Sequence, residues 1–567
     1  MTPAWLLALA LPAAAAEPSW VRADPVMTAA LAELARSKDR LAVGESRPYY
    51  IAYRLLDQRR VIVEAQFGAL KASTEERKRY AGADVRVGSA AFDNTDYVSA
   101  DGGGHAPFTI EAPYEDGAPG VRHALWWLTD SAFKSAVQRY SQKDAYRRSK
   151  EEEDDLPDLT PAPVSALDLA EPVAPLPAAD AEALARRVSA MFRRSKDLQG
   201  CRVGVFMFDN LARFLDTEGR RSRRDASDYE VVLDAWTQAD DGSPLAEQRR
   251  FPARRPSDIP SAERLESEAR EMAASLTARR VAPSLDAPYI GPVLFEGQAA
   301  GEFFNQLLAR GLAAPREMWL EDEGLLEAYR PGRLARRLGL RVMSPLLSAY
   351  DDPAASEFEG TALAGRTLID DEGVPAVRVG LVEKGVLKDL YVGRAAVEGR
   401  AGSNGHSRSA LENLPSPRAA NLFVAADPAL PRAALKAELL RRAQEAGLSW
   451  AVLVRRLGEE DARRDGSLLA PPVAAFRVNL DGSEEALEGA LFDAVTMRTL
   501  RDVAAASAER RVYNHYQRGP YGQQGDDVHA TIVHPDVLVS EMDLVPDERE
   551  PDRLPRLKSP LAAGLAR

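Results

Sequence analysis

Cysteine is almost missing from this 567-residue chain, where Cys201 stands alone. A single thiol cannot close an internal disulfide, and it rules out every zinc site built on two thiolates. Positive charge is in deficit as well: 73 Lys and Arg stand against 86 Asp and Glu, a formal net charge of −13. A surface of that sign repels nucleic acid and anionic lipid, so neither is expected as a partner. Beyond the first dozen residues no apolar run is long enough to cross a bilayer as a helix. Phosphate-cradling loops are absent too, because Gly102-Gly103-Gly104-His105 has no following Lys-Ser/Thr pair and opens no helix. No internal repeat is visible. What remains is the composition of a soluble globular protein, long enough for two or more large cores.

The N-terminus carries a signal of its own. Ala4 to Leu11 is a short apolar run, followed by Pro12, four alanines (Ala13 to Ala16) and Glu17. That is an apolar region leading to a small-residue cleavage site, so residues 1–16 are expected to be a signal peptide. The mature protein is expected to be periplasmic or secreted, and not transmembrane.

Asp24-Pro25 then reads as an N-cap with proline at the first helical position, followed by Met27, Leu31 and Leu34 at helical spacing. Residues 49–56 and 61–67 read as a hairpin turning at Asp57-Gln58, with a third strand at 83–87. A long helix begins near Val121 and is expected to bury Leu125, Trp126, Leu128, Phe133, Val137 and Tyr140. It runs into an acidic stretch and six spaced prolines, which is linker composition over 150–180. A helix at 180–194, strands at 203–208 and 229–236, and a helix over 259–280 capped by Ser261 follow. From Pro288 strands dominate: a hairpin of 377–382 and 386–392 around Lys384-Gly385, then 421–425, 450–454, 473–478 and 531–539. One helix, 431–446, stops at Gly447. The fold class expected is α+β: an N-terminal α/β domain (24–285) and a strand-rich, barrel-like C-terminal domain (286–547), with a tail at 548–567.

Three blocks carry a resemblance. The first is Arg86-Val87-Gly88-Ser89 with Phe92-Asp93-Asn94. Gly291-Pro292-Val293-Leu294-Phe295-Glu296-Gly297 is another. The most distinctive runs from Tyr350-Asp351-Asp352-Pro353 through Gly365-Arg366 and Ile369 to Pro375, then Leu381 to Leu387 and Gly402 to Arg408. In order and spacing these resemble the TldD/PmbA metallopeptidase family. Active members carry a His-Glu-x-x-x-His zinc motif on a helix and a cysteine far downstream. Aligning that motif here puts Phe295 and Ala300 at the histidine positions and leaves Glu296 as the surviving carboxylate. With no downstream cysteine, no metal or other cofactor is expected. The resemblance implies the PmbA-like branch: a non-catalytic subunit that encloses a peptide-accommodating cavity with a zinc-bearing TldD-like partner, or a homo-oligomer. A stand-alone hydrolase using Glu296 or the His406 turn, and a non-enzymatic envelope binding protein, are the alternatives.

Other constellations have plainer readings. Ser403-Asn404-Gly405-His406-Ser407-Arg408 is a tight turn in which backbone N–H groups of Asn404, Gly405 and His406, with Arg408, can hold a peptide carboxylate or carbonyl. The same turn invites a nucleophile–base reading from Ser403, Ser407 and His406, or a purely structural one. Asp370-Asp371-Glu372 reads as a solvated turn before a cation site, and Arg220 to Arg224 as a solvated face. Of the remaining histidines, His529 and His534 fall on opposite faces of one strand, which favours surface residues over a site shared with His515. His105 and His123 enter no pattern.

Overall fold

The computed structural model describes residues 17–100, 104, 108–150, 155–171, 173–325, 329, 332–400, 402–411, 413–459, 462–463, 466–519 and 526–549. The expected signal peptide, His105 and nearly all of the expected tail lie outside them.

The first expected hairpin is not there. Pro48–Gln66 is one strand of 19 residues, paired along its whole length with Ala69–Val87. The chain turns instead at Phe67-Gly68, where φ is 46° and 78°. Two consecutive positive φ values give the turn whose twist matches that of the flanking strands. Asp57 is tolerated in mid-strand because two guanidiniums neutralise it. Arg79, directly across the hairpin, donates at 3.0 Å, and Arg213 from the strand Gly200–Asp216 donates at 2.8 Å. Both arginines are nearly buried. Replacing Asp57 by alanine strands them, and we expect a loss of about 3 kcal/mol in urea unfolding. A loss below about 1 kcal/mol would mean that Asp116 and Asp24, their other partners, suffice.

The N-terminal sheet is ordered Phe108–Ala112, Ala69–Val87, Pro48–Gln66, Gly200–Asp216, Arg221–Asp225, Ala166–Leu169. Asp228–Gln238 also pairs with Gly200–Asp216, and Pro244–Ala253 completes that side as an edge. Every pair is antiparallel except the short one between Ala166–Leu169 and Arg221–Asp225, so this domain is not built from βαβ units. Helices Pro25–Arg40 and Ala118–Lys150 bury Val26, Leu34, Leu125 and Phe133 against Ile51, Tyr53 and Val85. Helices Ala178–Ser189 and Ala262–Arg279 close a second core over Val61, Val203 and Val231. The caps stand as expected: Asp24 accepts from the N–H groups of Val26 and Met27, and Ser261 from that of Arg264. Trp126 departs from expectation, since it faces solvent and Leu125 and Leu128 take the inner face.

The proline-rich stretch is not a loose linker. Asp158 in it is buried and accepts from Lys143 Nζ at 2.7 Å and from the Asp93 N–H at 2.6 Å. Thr160 N–H donates to Arg394 O in the second domain, and Ala166–Leu169 joins the first sheet. The Arg220 to Arg224 run is likewise structural: Arg220 pairs with Asp216, Arg223 with Asp168, and Arg224 with Asp371 across the domain boundary.

The C-terminal sheet runs Val386–Leu387, Val379–Glu383, Leu347–Asp351, Asn421–Ala426, Val528–Pro546, Tyr289–Phe295, Trp450–Leu457, Pro472–Asn479, Glu484–Leu487. Ala490–Phe492 and Val503–Gln517 also pair with Val528–Pro546. Parallel and antiparallel pairs are mixed, and the described strands end on two open edges rather than closing the expected barrel. Helix Arg432–Glu445 covers one face, ending at Gly447 with φ 73°, and helix Gln298–Phe304 lies in the core on the other. The whole is α+β in two parts. No helix among the described residues is long and apolar enough to cross a membrane.

Candidate functional site: an interdomain cleft

Two strand edges, one from each sheet, border a cleft of 1410 Å³. The first is Pro244–Ala253, whose residues from Ala246 onward line it. Ala239 N–H donates to Ser243 O at 2.8 Å in the hairpin turn, which sets the alternation along the pair. Leu245, Glu247, Arg249 and Phe251 therefore bond the neighbouring strand, and Ala246, Gln248, Arg250 and Pro252 aim their backbone groups outward. Proline at an outward position costs no ladder bond, which is why an edge strand accepts it. The second edge is the end of Val503–Gln517. Thr531, opposite Asn514, turns its N–H to Ala420 O at 2.9 Å on its other side. Val512, Asn514 and Tyr516 consequently direct their backbone groups away from the sheet and into the cleft.

Between the edges lies helix Gln298–Phe304, which continues through one wide turn, Asn305–Ala309, closed by Arg310 N–H on Asn305 O at 3.3 Å. Such i→i+5 turns inside helices recur at functional sites. Gln298, Glu302 and Asn305 face the cleft. Glu302 is the hub. Tyr513 Oη donates to one of its carboxylate oxygens, and Asn305 Nδ2 and Gln306 Nε2 donate to the other at 3.1 and 2.8 Å. Since the Asn305 amide nitrogen is committed to a carboxylate, its oxygen must accept from His515 Nε2 at 3.1 Å. Burial raises the Glu302 pKa against the pull of its three donors, and it pushes His515 down to about 4. His534 on the same wall donates Nδ1–H to Pro535 O at 3.1 Å, and burial takes it to about 4 as well. Both rings are neutral at neutral pH.

The three C-terminal histidines are not surface residues; all are buried. They do sit on opposite faces as the spacing predicts, with His515 and His534 toward the helix and His529 toward Asp228 at 2.8 Å.

Phe295 ends a strand and packs on Phe303, with ring centroids 5.1 Å apart, so it lies before the helix and not on it. Glu296 falls in the following turn, pairs with Arg455 at 3.2 Å and does not line the cleft. Ala300 is buried in the helix.

The Ser403–Arg408 turn is built into the interior. Asn404 accepts from Val392 N–H and donates to Leu390 O. Gly405 N–H donates to Ser403 Oγ, and Arg408 to Ala419 O and His529 O. His406 is fully buried, with Nδ1 on Asn404 O and Nε2 3.5 Å from Asp351. Ser403 Oγ donates to Val392 O, and no hydrogen bond joins either serine to the imidazole among the described residues. The nucleophile–base arrangement is not brought together.

Asp370 is buried rather than solvated. Its carboxylate accepts the N–H groups of Glu372, Val374 and Ser407, while Asp371 holds Arg224 and Glu372 accepts Arg394 N–H.

Residues 289–544 match the model of the PmbA/TldA metallopeptidase C-terminal domain. Among solved structures, the chain is similar to a proposed modulator of DNA gyrase from Thermotoga maritima (14% identity, TM-score 0.60, 91% of this chain and 99% of that one). It is also similar to TldE from Thermococcus kodakarensis (14%, 0.56, 91% and 100%) and to a proposed modulator of DNA gyrase from Bacteroides thetaiotaomicron (10%, 0.55, 92% and 98%). At such identities the likeness is one of fold. No curated protein matches the sequence.

Proposed function

This chain belongs to the TldD/PmbA family, whose C-terminal domain residues 289–544 carry, and we propose that it holds an extended peptide in the cleft without cutting it. Two strand edges with outward backbone groups support the reading, because an extended chain adds to such an edge by main-chain hydrogen bonds whatever its sequence. In this reading the chain is the zinc-free subunit beside an exported, zinc-bearing partner.

The donor set does not fit zinc. No histidine occurs between His123 and His406, so the cleft helix offers no imidazole in any register of the family motif. His515 spends its Nε2 proton on Asn305 and His534 its Nδ1 proton on Pro535 O, which leaves one lone pair on each ring, and among the described residues no three His, Cys, Asp or Glu side chains come together at metal-binding distance. Catalytic zinc takes three protein ligands.

One observation favours a second reading, a metal-independent hydrolase: Glu302 is a buried carboxyl with a raised pKa in a cleft, the profile of a general acid. Elemental analysis and a peptide-cleavage assay with and without chelator separate the two. We expect no stoichiometric metal, no turnover by the protein alone, and co-purification with a chain bearing an intact His-Glu-x-x-x-His motif. Turnover by the isolated protein that Glu302→Gln abolishes would replace the first reading with the second.

A further inference from the structure

The part of the cleft where Arg250 stacks on the Tyr516 ring at 5.0 Å is backed by charged side chains from both domains. Most are matched. Arg250 holds Glu230 at 2.6 Å, Arg418 holds Asp526, and Arg224 holds Asp371. Asp228 takes Tyr516 Oη and His529 Nε2 on one carboxylate oxygen. Among those left without a carboxylate, two are neighbours in charge. Arg254, which lines the cleft, donates to Asp225 O at 3.3 Å; Arg408, buried behind it, donates to Ala419 O at 3.0 Å and His529 O at 2.6 Å. Neither has a carboxylate at ion-pair distance among the described residues. The Asp225 carboxylate, the nearest in sequence to Arg254, is turned to Ser227 N–H. His529 links them: its carbonyl accepts from Arg408, and its ring binds Asp228, next to Arg254 in charge. The ring donates its Nε2–H to Asp228 and leaves Nδ1 buried without a partner.

We propose that Arg254, backed by the field of Arg408, is an anion subsite that takes a carboxylate of the bound peptide, its C-terminus foremost. The proposal rests on the peptide-holding reading and adds polarity to it: the peptide enters with its C-terminal end toward Tyr516. Two neighbouring cations hydrogen-bonded only to carbonyls in a poorly hydrated place repel each other; Asp225, Asp228 and Asp371 offset part of that from a distance, and a carboxylate in direct contact relieves both. Burial, joined by repulsion from Arg254, Arg224 and Arg418 and opposed by Asp371, takes Arg408 down to about 9.

Titration calorimetry on the mature full-length chain tests it with Ala-Ala-Ser-Ala-Ala as free acid, as C-terminal amide, and as an amide carrying one internal glutamate. The free acid is expected to bind tighter than the plain amide by about tenfold or more, the worth of one charge-assisted contact. Arg254→Gln is expected to erase that difference, and Arg254→Lys to restore part of it. If acid and amide bind alike, peptide holding stands and the subsite is overturned. Binding of the internal-glutamate amide as tightly as the acid upholds the subsite and assigns it to side-chain carboxylates. If no peptide binds, the cleft reading fails and sulfate decides the subsite. Sulfate must then raise the thermal midpoint of wild type over chloride at equal ionic strength, and leave Arg254→Gln unmoved. No sulfate effect in that case sinks the subsite too.

Discussion

Gly405→Ala is expected to lower the unfolding free energy by roughly 3–5 kcal/mol, enough to leave much of the protein insoluble. Two causes add. At φ 73° a side chain pays the left-handed penalty of about 1–2 kcal/mol. A Cβ there also sits 2.4 Å from Pro375 O, 2.5 Å from Ala376 Cα and 2.7 Å from Ala376 N. Those are backbone atoms, held by Ala376 N–H on Leu368 O, and they cannot rotate aside as a side chain would. Gly447 supplies the control. It has the same φ, at the end of helix Arg432–Glu445, yet a Cβ there meets nothing within 4 Å. Gly447→Ala should cost only the conformational part, about 1 kcal/mol. Urea unfolding of the two variants measures the difference, and equal losses would show that the turn yields at Pro375.

The elements that were legible beforehand are those whose signals are local. Asp24 and Ser261 cap helices where a short side chain precedes an apolar period, and Lys384-Gly385 turns a hairpin with φ 44° and 78°. Asp57 misled because a charged residue between two apolar runs is ordinary turn composition. Its partners, Arg79 and Arg213, lie 22 and 156 residues away. The linker stretch holding Asp158 and the Arg220 to Arg224 run misled in the same way: Asp158 is buried on Lys143, and Arg224 is half-buried on Asp371. Charge pairing across a domain boundary leaves no periodic trace.

The candidate site was less legible than the fold. Its helix did leave a signal, since Glu302, Asn305 and Gln306 are the polar residues in the run from Ala299 to Ala309, spaced three and four apart. That spacing puts a polar stripe on a core helix. Glu296, one residue before the cap at Gly297, has no such neighbours. The strand edges are different in kind. Which backbone groups point outward depends on the pairing register, and no side chain records it.

The same histidines that line the cleft are expected to make the protein acid-sensitive between pH 6.5 and about 4. Burial holds His515 and His534 near 4 in the folded protein, against 6.5 in the unfolded chain. In that window the unfolded chain binds protons that the folded one refuses, so stability falls as pH falls and is fully present above 6.5. Each ring contributes at most about 1.4 kcal/mol per pH unit, and the two together on the order of 5 kcal/mol across the window. Glu302 acts with the opposite sign. Its folded pKa is raised, so protonating it as pH falls relieves a cost of burial and offsets part of the loss. The two effects meet in one network, because Asn305 bridges His515 to Glu302. His515→Gln preserves a donor to Asn305 while removing the titration, and His534→Gln does likewise toward Pro535. Urea midpoints taken every half unit from pH 7 to pH 4 should show the wild-type slope cut by more than half in the double variant. A double variant that keeps the wild-type slope would locate the acid sensitivity in the interdomain ion pairs and clear the cleft histidines of it.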